Sequence, residues 1–78
     1  MTTSITHSID ENGKVVIKIN DIPHIIFHKK DLLGIYSYIS ESNYFYIQLV
    51  LHSMTSSLLC EYTKREIWEQ VLKLLESL

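Results

Sequence analysis

The chain is poor in the residues that build covalent, nucleotide or membrane chemistry. Its one cysteine, Cys60, excludes a disulfide within the chain. Glycine occurs only at Gly13 and Gly34, so a phosphate-cradling loop or a dinucleotide fingerprint, each of which needs clustered glycines, is excluded. Proline occurs once, at Pro23, and with so few chain breakers few loops are expected to be long or flexible. Seven basic residues stand against nine acidic ones, for a formal net charge of −2, and they are dispersed apart from the pairs Lys29-Lys30 and Lys64-Arg65. Nucleic-acid affinity comes largely from clustered Lys and Arg, so a phosphate backbone is not the expected main partner. Long apolar runs are missing too: the stretch around Ile47 to Leu51 is interrupted by Gln48, and Met1-Thr2-Thr3-Ser4 lacks the basic start of a targeting segment. Together these absences predict a cytoplasmic protein with no cofactor, no membrane partner and Cys60 as a reduced thiol.

What is present is ordinary globular composition. Hydrophobic residues make up 46% of the 78 positions and charged residues 21%, which separates the chain from disordered sequences. The length corresponds to a single domain, residues 1–78. Folding at this size buries only about 60–65% of the surface that the unfolded chain exposes, so a lone core is marginal. Without disulfides, a partner subunit is the expected supplement.

Periodicity assigns the elements. Ile67, Val71, Leu74, Leu75 and Leu78 recur at intervals of three and four, with Trp68 and Leu72 beside them, which predicts an amphipathic helix over about 63–77. Thr63-Lys64-Arg65-Glu66 fits a capping box, in which the Thr63 hydroxyl and the Glu66 carboxylate each accept from the other's backbone amide. Upstream, about 4–62, the pattern has a period of two. Phe45, Ile47, Leu49 and Leu51 fall on one face, and Tyr44, Tyr46, Gln48, Val50 and His52 on the other. Leu33 to Ile39 alternates likewise and joins this strand through the turn-prone Glu41-Ser42-Asn43, which sets Ile39 opposite Phe45 and Tyr38 opposite Tyr46. A second turn at Ser53-Met54-Thr55-Ser56 leads to a strand over Ser57 to Tyr62, in a register matching Leu51 to Leu58, Leu49 to Cys60 and Ile47 to Tyr62. Near the start, Glu11-Asn12-Gly13 signals a hairpin, and a three-residue loop with Gly13 left-handed matches Ile9 to Val15 and Ile5 to Ile19. Asp21-Ile22-Pro23 is expected to turn the chain into a short strand, His24 to His28, and Lys29-Lys30-Asp31 leads to the next. The predicted fold class is α+β: an antiparallel β-meander of about five to six short strands packed against one C-terminal α-helix.

The residues from Leu58 to Tyr62, followed by Thr63-Lys64-Arg65-Glu66-Ile67-Trp68 and Val71-Leu72, resemble the closing part of a pleckstrin-homology-like domain, where strands end in an amphipathic helix carrying a Trp in its first turns. The resemblance covers roughly the last third of the chain, implies a roll of antiparallel strands, and leaves this chain about one strand short of that fold. Members of that family that bind phosphoinositides use a basic first hairpin loop. Here the loop is the acidic Asp10-Glu11-Asn12-Gly13-Lys14, so inositol-lipid binding is not implied.

Chemistry-bearing residues are few. His24 and His28 leave the same face of a strand, but zinc wants three or four ligands, and His7 and His52 could join them only through folding. Surface histidines are the simpler reading. Cys60 alternates inward with Leu58, whereas a catalytic thiol must be exposed with a lowered pKa. Asp10 with Glu11, or Glu61 with Glu66, are expected to be solvated charges rather than an acid–base pair.

The informative feature is aromatic. Tyr36, Tyr38, Tyr44 and Tyr46 share one parity, and Val50 and Leu59 extend that face away from the helix-covered core. Cross-strand Tyr pairs can stabilise a sheet by roughly 0.2–1 kcal/mol each. Tyr is also enriched where surfaces associate, because it combines large area with few rotors and a polar tip. The expectation is a small non-enzymatic protein-interaction module that self-associates through this face, most simply as a homodimer, or docks another protein there. The alternative is a ligand- or single-stranded nucleic-acid-binding module stacking bases on the same tyrosines, with help from Lys18, Lys29 and Lys30.

Overall fold

A computed structural model describes residues 3–53 and 57–78. Among these residues six strands precede one α-helix: β1 (Ile5–Ile9), β2 (Lys14–Ile19), β3 (Ile22–His28), a 3₁₀ turn (Lys29–Asp31), β4 (Leu32–Ile39), β5 (Phe45–Leu51), β6 (Leu58–Tyr62) and α1 (Arg65–Glu76). The α+β class with antiparallel strands and a C-terminal helix is as expected. The strands, however, form two three-stranded sheets, ordered β1-β2-β3 and β4-β5-β6. The chain correspondingly divides into two compact units, Met1–Leu32 and Leu33–Leu78.

In the first unit, the β1–β2 hairpin has the predicted register, Ile5 opposite Ile19 and Ile9 opposite Val15. Its loop shows why. Gly13 has φ +82°, a conformation that a side chain would strain. The Gly13 amide donates to the Asp10 carbonyl at 3.1 Å, and the Asp10 carboxylate accepts from the amides of Asn12 and Lys14, both at 2.9 Å. The next turn lies one residue earlier than expected. Asn20 (φ 52°) and Asp21 (φ 66°) form a two-residue connection of the kind that matches strand twist, and Ile19 pairs directly with Ile22. The Asn20 side chain and backbone both bond Ser4, at 2.9 and 2.7 Å. Ile22 and Pro23 therefore belong to β3 rather than to a turn. The register shifts after Ile17, leaving His24 as the extra residue of a bulge beside Pro23, and an edge strand tolerates a residue without an amide hydrogen there. Val15, Ile17, Ile25 and Phe27 are buried.

In the second unit, odd-numbered side chains of β5 go inward: Ile47, Leu49 and Leu51 are buried, with Phe45 half-buried. Cys60 and Tyr62 of β6 join them, and α1 covers this face with Trp68, Val71 and Leu75. Burying such side chains contributes roughly 1.5–3 kcal/mol apiece. The Trp68 indole N–H donates to the Tyr46 carbonyl at 2.9 Å, and its ring lies 5.4 Å from that of Phe45.

Two expectations need correction here. The β5–β6 register is Phe45 opposite Tyr62, Ile47 opposite Cys60 and Leu49 opposite Leu58, two residues away from the predicted pairing. A slip of two preserves which face each side chain takes, so the alternation alone could not detect it. The Gln48 amide also donates to the Ser57 hydroxyl at 2.6 Å, a contact specific to the observed pairing. The expected turn residues Met54, Thr55 and Ser56 lie outside the described residues. The capping box is not formed either: α1 begins one residue later, with Lys64 as its N-cap and no side-chain cap bond. Thr63 is thereby displaced from the position at which its hydroxyl could accept.

Candidate functional site

β4 and β5 are joined by a loop of the same construction as the β1–β2 loop. Asn43 takes the left-handed conformation (φ 62°), its amide donates to the Ser40 carbonyl at 3.1 Å, and the Ser40 hydroxyl accepts from the Tyr44 amide at 3.2 Å. The Ser40 amide donates to the Tyr44 carbonyl at 2.9 Å, which fixes the hairpin. The predicted turn at Glu41-Ser42-Asn43 is therefore present, and it aligns Tyr38 with Tyr46.

The rings of Tyr38 and Tyr46 stack, with centroids 5.0 Å apart and planes inclined by 20°. Across the other side of β5, Tyr46 stands opposite Glu61. Tyr38, Tyr46 and Glu61 thus make one row over three strands. Desolvation, reinforced by the adjacent Glu61 carboxylate, raises the Tyr46 phenol above its ordinary pKa; that carboxylate also accepts its hydrogen bond. The phenol stays neutral and keeps its proton as a donor. Tyr36, Tyr38 and Tyr44 are 58%, 46% and 40% exposed and Leu59 53%, so large apolar surface faces water here. Tyr46 and Val50 are half-buried on the same side. The Tyr36 ring folds over Gly34: a methyl group placed on Gly34 would meet its Cε2 at 3.1 Å. Five of the six predicted face residues, Tyr36, Tyr38, Tyr46, Val50 and Leu59, therefore belong to one sheet, and Tyr44 stands in the β4–β5 connection just before β5. Gln48 lies on that face as its parity predicts, whereas the predicted register sets Glu61 opposite Gln48, two residues away from Tyr46.

The other candidates are not brought together. His24 and His28 are both exposed on β3, with His24 in the bulge; desolvation of part of its ring holds its pKa below the usual value. Among the described residues, no group of three or more His, Cys, Asp or Glu side chains could hold a metal ion. Cys60 is buried, and burial pushes its thiol up, the opposite of an activated thiolate; its partner is the Tyr62 hydroxyl. Asp10 is committed to its loop, and the depression beside it, lined by Asp10 to Gly13 with Lys29 and Lys30, mixes both signs of charge in an open surface of about 550 Å³. Glu66 lies in the first turn of α1, where a carboxylate suits the helix dipole, and Glu61 is exposed on β6 beside Tyr46. Among the described residues no helix is long and apolar enough to cross a membrane. A strand followed by a Trp-bearing helix is present, as the pleckstrin-homology resemblance implies, but no family model, curated protein or solved structure matches the chain, and that resemblance rests on this element alone.

Proposed function

We propose that the chain is a small non-enzymatic interaction module that self-associates as a two-fold dimer through the tyrosine face of its second sheet. One observation carries the reading: Tyr36 and Tyr38 on β4, Tyr44 just before β5 and Leu59 on β6 are all exposed, with the half-buried Tyr46 and Val50 of β5 between the two outer strands. A folded monomer seldom leaves a contiguous apolar patch much above a few hundred Å² in water. Two such faces suit each other, since sheets pack face to face at about 10 Å, and a two-fold axis lets the same surface serve both copies. The phenols retain polar tips that can bond across the junction. Glu61 within the face repels a phosphate backbone and makes base stacking the weaker use of the same rings.

Sedimentation equilibrium tests this. The wild type is expected to be dimeric at high micromolar concentration, and the Tyr38→Ser/Tyr46→Ser variant to move toward monomer with its helical circular dichroism retained. A wild type that stays monomeric would remove the proposal. Salt-sensitive quenching of tyrosine fluorescence by a single-stranded oligonucleotide would replace it with the binding alternative.

A further inference from the structure

We infer that the outer edge of β4 is a strand-addition site for β4 of a second copy, joining two second sheets into one continuous six-stranded sheet. This is a contact distinct from the tyrosine face and does not depend on it. Sheet edges expose a row of backbone donors and acceptors, and natural proteins blunt them with charges, prolines, bulges or short length. Three of the four edges here are treated in that way. β3 carries Pro23 and the His24 bulge; β6 is five residues long and carries Glu61; β1 is five residues long with Thr6, His7 and Ser8 between its isoleucines. β4 has none of these devices. It runs for eight residues, Leu-Leu-Gly-Ile-Tyr-Ser-Tyr-Ile, and the chain carries no charge between Asp31 and Glu41. Side chains on both of its faces remain in water: Leu33 at 64% and Ile39 at 48% on one, Tyr36 and Tyr38 on the other.

The ladder says which groups are offered. Ser40 donates to Tyr44, so even-numbered residues of β4 direct their N–H and C=O toward β5. Strand alternation then points those of Leu33, Ile35, Ser37 and Ile39 to the outer edge. A second copy is the occupant that this edge fits. An antiparallel pair about a two-fold axis at Tyr36 sets Leu33 opposite the second copy's Ile39 and Ile35 opposite its Ser37. Every outward group then finds a partner, and the two most exposed aliphatic side chains of the strand cover each other. The second copy's Tyr38 comes to lie beside Gly34, against the Tyr36 ring that already covers it. No like charges meet, whereas the β6 edge paired with itself would bring two Glu61 carboxylates together. Both tyrosine faces end on the same side of the joined sheet and stay open to further contact.

Amide hydrogen exchange on the full chain decides it. The amides of Leu33, Ile35, Ser37 and Ile39 are expected to slow at least about tenfold as concentration rises from about 10 μM to about 1 mM. The even-numbered amides of β4, already paired to β5, should change little. Ser37→Pro removes one outward N–H without touching the β4–β5 ladder and should abolish the concentration effect. Outward amides that exchange equally fast at both concentrations in the wild type would overturn the inference, whether or not the Pro variant folds. Dimerisation with fast outward amides leaves the tyrosine face standing alone, and protection that survives Tyr46→Ser, a substitution on β5 away from the edge, leaves the edge standing alone.

Discussion

Asp10 is the side chain whose local role is most sharply defined. Its carboxylate accepts from two backbone amides of its own loop, and the bond from Lys14 is the main reason that its pKa lies below the usual value. A carboxylate whose folded pKa is depressed stabilises the fold fully above the unfolded value, about 3.9, and loses that contribution as pH falls through the lower folded value. Asp10→Asn keeps an oxygen in place but removes the charge. We expect the wild type to exceed this variant in urea midpoint near neutrality, and the gap to close below about pH 4. A gap of constant size down to the acid limb would show that the charge contributes nothing. Ser40 occupies the corresponding position in the β4–β5 loop with a neutral hydroxyl, so that loop carries no such pH dependence.

At the scale of elements, α1 is held by packing more than by its ends. Its N-cap, Lys64, has no acceptor to offer the first amides, and an ion pair on its surface, Arg65 to Glu69 at 2.8 Å, is exposed at both partners and worth about 0.3–0.5 kcal/mol. Lys64→Asp supplies both a capping oxygen and a negative charge at the positive end of the helix, and should stabilise the protein by about 0.5–1.5 kcal/mol in chemical denaturation. An unchanged midpoint would mean that the first turn contributes nothing to global stability. Thr63 is a better cap by residue type, yet the chain leaves β6 with Lys64 at the N-cap, and tertiary placement overrides the sequence signal. The same limit explains what was legible elsewhere. Parity is readable because it repeats along β5, and the placement of Tyr38 and Tyr46 in one row follows from it. The β1–β2 register was readable because Gly13 pins its loop. The β5–β6 register was not, since the sequence between Leu51 and Leu58 has no glycine to signal a loop length, and an even slip costs no burial pattern. At the β2–β3 turn the signal is Asn20-Asp21 rather than Pro23, because an edge-strand bulge can hold a proline as readily as a turn can. The division of six strands into two sheets was equally hidden, since each hairpin is specified locally while the break between β3 and β4 is made by the short 3₁₀ turn at Lys29–Asp31.

For the whole molecule, size and association are one question. A chain of 78 residues with no disulfide has little margin, and any contact made only by folded copies raises its apparent stability by mass action. When unfolding and dissociation of a dimer are coupled, a tenfold rise in concentration adds about 1.4 kcal/mol per dimer, which the unfolding entropy of two such chains converts to about 4 °C in Tm. The wild type should therefore melt later at higher concentration, by about that amount for each tenfold step. Tyr38→Ser/Tyr46→Ser removes area from the face and Ser37→Pro closes the edge, so each should flatten the dependence in part, and the triple variant should melt at one temperature throughout. These substitutions lie away from the buried set of Ile47, Leu49, Cys60, Val71 and Leu75, so the dilute melting temperature should fall far less than the concentration dependence does. A wild type whose Tm is flat over a hundredfold range would dispose of both contacts at once. Equal flattening by Leu59→Ser alone would instead centre the contact on β6, where Leu59 stands opposite Gln48 and next to Glu61, and would move the two-fold axis away from the Tyr38–Tyr46 stack.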